Sequence, residues 1–219
     1  MSERKILLVE GPDDEHVIKA ICGQRHLPKI GEIHQCNGIE KLLEALPVRL
    51  KESDIAILGL VVDADVNLSS RWDSIKYRLS AAGYTNLPAL PPATGFVIQP
   101  PENTLLPKVG AWLMPNNLSE GILEDFLKFL VPNLDSNSLF SHATSAIENI
   151  PSEQVKFSQV AKPKALIHTW LAWQEEPGRP LGQSITARFL DHDVAEVNSF
   201  VSWLSELFDF GRESPIATI

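Results

Sequence analysis

The sequence predicts an α/β fold: a mostly parallel sheet flanked by helices, with a helical C-terminal extension. Three observations carry this. Two apolar runs, Lys5–Val9 and Ile55–Val62, are each followed at once by an acidic residue. Strand-like runs alternate with segments of helical apolar period over roughly the first 130 residues. After Pro132 only helical periodicity remains. The expected organisation is an α/β core over residues 1–132 and a helical extension over residues 133–219, packed on that core.

The elements follow in order. Lys5–Val9 reads as a buried strand, and Gly11-Pro12-Asp13-Asp14 as a turn with helix-capping residues. The helix after it carries Val17, Ile18, Ile21 and Cys22 on one face and ends near Gly23. Ile33–Cys36 is a short strand, and Asn37-Gly38 a turn. Ile39, Leu42, Leu43, Leu46 and Leu50 then recur at helical spacing. Ile55–Val62 is apolar throughout, as expected for a strand buried on both faces of a parallel sheet.

A further helix follows Asp65. Ser70 and Asp73 are spaced as its capping box, Trp72, Ile75 and Leu79 face inward, and Gly83 stops it. Pro88, Pro91 and Pro92 make Leu87–Thr94 a loop. Phe96–Gln99 and Val109–Met114 read as strands joined by the segment Pro100–Pro107. Apolar spacing from Ile122 to Leu130 marks a helix beginning near Ser119. Beyond it, helices are expected near Ser136–Asn149, Pro163–Gln174, Gly182–Leu190 and Val194–Phe208.

A chain of 219 residues can bury a sizeable core, removing roughly 70% of its unfolded surface. Apolar residues make up 44% and charged residues 21%, as in ordinary globular proteins. No apolar run is long enough to span a bilayer, so no membrane contact is expected. Cys22 and Cys36 form no CxxC pair and fit a reducing, cytoplasmic setting as small buried residues. The net charge of −9 excludes nucleic-acid binding through overall basicity. Any such contact needs a local basic patch, a bound cation or a partner.

Right-handed crossovers bring the loops after the first and third strands to one edge of the sheet, where α/β ligand sites lie. Glu10, Asp13 and Asp14 follow one strand, and Asp63 and Asp65 the other. Converging carboxylates raise one another's pKa unless a cation neutralises them. Oxygen-only ligands suit Mg²⁺ or Mn²⁺, and the histidine and cysteine spacing of a zinc site is absent. A glutamate ending a buried strand just before glycine is a poor strand terminus unless its charge is used.

At this point the sequence resembles the Toprim family. Leu7-Leu8-Val9-Glu10-Gly11-Pro12-Asp13-Asp14 is similar to its first motif, and Leu60-Val61-Val62-Asp63-Ala64-Asp65 to its second. The resemblance covers roughly the first 130 residues, and the whole chain looks like a stand-alone Toprim protein related to the OLD-family nucleases. It implies a Toprim-like sheet. Glu10 would be a general acid/base or a metal ligand, Asp63 and Asp65 would hold Mg²⁺ or Mn²⁺, and Asp14 would add a ligand. Some relatives add an acidic residue from a later helix, for which Glu124 and Asp125 both qualify. The implied activity is metal-dependent phosphodiester hydrolysis on DNA or RNA.

Several features narrow this. Only Tyr77 and Tyr84 exist, both near a core helix, so a topoisomerase nucleophile is missing. There is no zinc module and no GxxxxGK[ST] loop. Lys156, Lys162 and Lys164 precede or open a helix, and a helix N-terminus with lysines is a natural phosphate site. Lys162 and Lys164 are therefore the candidate contacts to flanking phosphates. Two rival readings stay open. One is a non-catalytic adaptor that keeps the metal site and binds a protein partner or a second copy. The other is a receiver-like phosphoacceptor, against which Glu-Gly-Pro before Asp13-Asp14 and the helical extension both count.

Overall fold

A computed structural model describes residues 3–211. Five strands form one sheet: β1 (Arg4–Val9), β2 (Glu32–Gln35), β3 (Ile55–Asp63), β4 (Phe96–Ile98) and β5 (Lys108–Met114), in the order β2-β1-β3-β5-β4. All neighbours pair parallel except β4 with β5, which are antiparallel. Eight α-helices occur among the described residues: α1 (Pro12–Gln24), α2 (Ile39–Arg49), α3 (Leu68–Ala82), α4 (Leu123–Phe129), α5 (Ser138–Glu148), α6 (Lys162–Leu171), α7 (Leu181–Thr186) and α8 (Ala195–Phe208). The mostly parallel sheet flanked by helices is the architecture the alternation predicts. None of these helices is long and apolar enough to cross a membrane.

The continuous apolar character of β3 follows from burial on both sides. Alternate residues feed two cores. Leu7, Val9, Val61 and Trp112 pack with α1, α4 and α8 on one face. Ile6, Leu8, Leu60 and Val62 pack with α2 and α3 on the other. The C-terminal helices thus share one core with the sheet, through Phe200 and Trp203 against Trp112.

Helix α8 lies close to the sheet because two glycines pair in register, Gly59 on β3 with Gly110 on β5. A Cβ at Gly59 would sit 2.9 Å from a Leu207 methyl, and one at Gly110 2.8 Å from it. The C-terminal end of α8 is tied to the strand starts. Lys5 Nζ donates to the Phe208 carbonyl (3.1 Å) and Lys108 Nζ to the Glu206 carbonyl (2.5 Å). Ammonium groups at a helix C-terminus satisfy orphan carbonyls and oppose the helix dipole, which gives the nearly buried Lys108 its place.

Several helix ends differ from the sequence expectation. The third helix is capped by Asn67, whose side chain accepts from the Ser70 amide, so Ser70 and Asp73 do not form its capping box. The fourth starts at Leu123 rather than near Ser119, because Asp65 and Gly121 pair as a β-bridge and hold that segment extended. The seventh is shorter than Gly182–Leu190.

The topology also fixes where a site can lie. From β1 the chain crosses through α1 on one face, and from β3 through α3 on the other. The ends of β1 and β3 therefore flank a topological switch point, where α/β folds leave a crevice.

Candidate metal centre

The crevice holds a cleft of about 230 Å³ whose acidic lining is Glu10, Asp13, Asp14, Asp63 and Glu124, with Lys164 at its side. Each group arrives from a different element. Glu10 follows β1, and Asp13 and Asp14 open α1. Asp63 ends β3, Glu124 lies in the first turn of α4, and Lys164 in the first turn of α6. The proximity of Glu10 and Asp63, predicted from their matching strand ends, is direct: Glu10 Oε1 accepts from the Asp63 amide at 2.8 Å.

The carboxylates are held by backbone amides. Asp63 Oδ1 accepts from Leu123 N at 2.8 Å, and Asp14 Oδ2 from Gly11 N at 2.9 Å. Lys164 Nζ lies 3.3 Å from Glu124 Oε1 and 3.4 Å from Asp13 Oδ2. In this arrangement no group of three His, Cys, Asp or Glu side chains among the described residues forms a ready coordination shell.

The electrostatics are those of too many negative charges in too little water. Burial pushes the Glu10 carboxyl up to about 7, against the amide hydrogen bond from Asp63 and with help from the Asp14 charge. Burial likewise lifts Asp14 to about 6, with Glu124 and Asp13 adding repulsion to what the Gly11 amide relieves. Asp63 stands well above the usual carboxylate range, first through burial and then through Glu10, Asp14, Glu124 and Asp65. Burial works against the charge of Lys164, but Glu124 and Asp13 outweigh it and hold its ammonium above the ordinary lysine range.

Oxygen-only donors, clustered and short of counter-charge, fit a hard divalent cation. Glu10, Asp14, Asp63 and Glu124 are the residues that could hold Mg²⁺ or Mn²⁺. Of the two acidic candidates on α4, Glu124 lines the cleft and is buried. Asp125 instead caps α4 through the Ile122 amide at 3.0 Å. Asp65 does not line this cleft. Its backbone pairs with Gly121 and its carboxylate with Arg71, which also donates to the Asp63 carbonyl at 2.9 Å. Lys162 does not line it either; it faces Glu148 at 3.8 Å.

Arg71 is a residue that sequence reasoning missed. It braces the Asp63–Asp65 loop, and its only sequence signal is its place in the first turn of the helix after that loop. Trp170 is buried, while Trp173 is exposed, its ring tilted against His142 at 5.3 Å. Both thiols are raised to about 11 by burial, which leaves them poor nucleophiles.

A family model described as "Protein of unknown function (DUF3226)" matches residues 4–209. No curated protein and no solved structure matches the chain.

Proposed function

The chain belongs to the DUF3226 family, and for this member we propose divalent-metal-dependent hydrolysis of phosphodiester bonds in nucleic acid, the activity of Toprim/OLD-type nucleases. One observation carries the reading: Glu10, Asp14, Asp63 and Glu124, from separate elements, meet Lys164 in one cleft at the switch point of the sheet. The likeness of residues 7–14 and 60–65 to the two Toprim motifs supports it.

The residues divide the work by chemistry. Asp63, Asp14 and Glu124 supply oxygen ligands. A divalent ion held there would neutralise the cluster and supply Lewis-acid polarisation of a phosphate oxygen. Glu10, which meets the end of β3 inside the same cleft, is placed to accept a proton there. It takes the proton of a water whose oxygen attacks phosphorus, while the phosphorus–oxygen ester bond breaks and the leaving oxygen is protonated from solvent. Lys164, freed from Asp13 and Glu124, pairs with a non-bridging phosphate oxygen. Lys162, two residues before Lys164 at the start of α6, lines the adjoining hollow and suits a neighbouring phosphate.

The test compares wild type with Glu10→Gln on plasmid DNA and on RNA, with Mg²⁺ or Mn²⁺. Cleavage by wild type and its loss in the variant support the reading; equal cleavage by both removes it. A non-catalytic adaptor is the second reading, favoured by the backbone amides and Lys164 that already occupy the carboxylates. Metal binding without turnover on either substrate would establish that one.

A further inference from the structure

Beside the acidic cleft lies a second hollow, of which the proposed hydrolysis uses only Glu124 and Lys162. It measures about 290 Å³ and lies between α4, α5 and α6. Glu124 lines both cavities, so the two are neighbours. The size is at the small end of ligand pockets, which start near 300 Å³, and suits one nucleoside rather than a large cofactor.

The lining is chemically mixed. Lys128 and Lys162 bring positive charge, Glu148 and Asp125 negative charge, and Leu166 and Ile167 an apolar floor. Gln159 adds an amide that can both donate and accept. Lys162 and Glu148 approach only to 3.8 Å and are both substantially exposed, so their pairing is weak and easily exchanged for a ligand. A simple anion meets three carboxylates here, and a simple cation meets two lysines. A nucleotide satisfies both sets. Its phosphate takes the lysines, the donors of its base edge and sugar take the carboxylates and Gln159, and its ring face lies on Leu166.

We propose that this hollow is a nucleotide subsite, which seats one nucleoside of the strand beside the phosphate in the acidic cleft. The proposal rests on the phosphodiesterase reading of that cleft and adds a recognition element to it. It also gives the helical half a task, since α5 and α6 supply most of the walls.

The experiment is titration calorimetry of the full chain in EDTA with AMP, dAMP and inorganic phosphate. The variants are Thr144→Tyr, which fills the hollow from α5, and Lys128→Ala, whose exposed position leaves the fold undisturbed. Wild type should bind the nucleotides. Lys128→Ala should weaken them about fivefold and Thr144→Tyr at least about tenfold. No nucleotide binding by wild type up to about 10 mM, or equal binding by wild type and Lys128→Ala, would overturn the proposal. So would phosphate binding as tightly as AMP, since the site would then read only charge. Failure of the phosphodiesterase reading has a different signature: nucleotides bind as described, yet Glu10→Gln cleaves as well as wild type.

Discussion

Replacing Glu10 with glutamine should stabilise the metal-free protein, and the gain should depend on pH. The folded carboxyl lies at about 7 against an ordinary 4.5, chiefly because it is buried. Below 4.5 it is neutral both folded and unfolded, and burial costs nothing extra. As pH rises through this window the unfolded chain releases its proton while the folded chain keeps it. The penalty therefore grows with pH and is complete above about 7. At about 1.4 kcal/mol per pH unit the full penalty is roughly 3 kcal/mol. Coupling to Asp63 and Asp14 and local relaxation reduce the expected gain to about 1–2 kcal/mol. Glutamine retains an oxygen for the Asp63 amide, so the hydrogen bond at 2.8 Å survives while the charge goes. A chain of this size should gain about 2–4 °C in Tm per kcal/mol. Urea denaturation in EDTA at pH 4.5 and pH 8 checks this. A variant no more stable than wild type at pH 8, or equally stabilised at both values, would refute the electrostatic account. With Mg²⁺ at pH 8, wild type should recover more stability than the variant.

Other outcomes follow from the same geometry. Asp63→Asn should lose Mn²⁺ binding by calorimetry at least about tenfold, whereas Asp65→Asn, whose carboxylate is taken by Arg71, should lose less. Lys164→Ala removes the counter-charge of the buried Glu124, so Mn²⁺ should bind a few-fold more tightly; nucleic-acid binding should weaken, its salt slope falling by about 0.7–0.9. Gly95 has φ +87° and lies against the Trp203 ring, whose Nε1 donates to the Phe96 carbonyl at 3.0 Å. Gly95→Ala should cost about 1–3 kcal/mol in urea denaturation, through overpacking and a strained backbone.

The sequence by itself determined the strands, most of the helices and the meeting of Glu10 with Asp63. These follow from local rules: apolar period sets element type, and crossover handedness sends both strand ends to one edge of the sheet. Helix starts were less legible where a distant contact set them, as when the bridge between Asp65 and Gly121 delays α4. Tertiary structure alone decided which side chains share the site. Spacing could not separate Glu124 from Asp125, because what distinguishes them is that one caps its own helix while the other meets Lys164 from α6. Nor could it send Asp65 to Arg71, or reveal that Gly59 and Gly110 lie side by side to admit α8. The Glu124–Lys164 and Gly59–Gly110 pairings join segments far apart in the chain, and they depend on how whole elements pack. Periodicity reports which face of an element is buried, and packing then decides what that face is buried against.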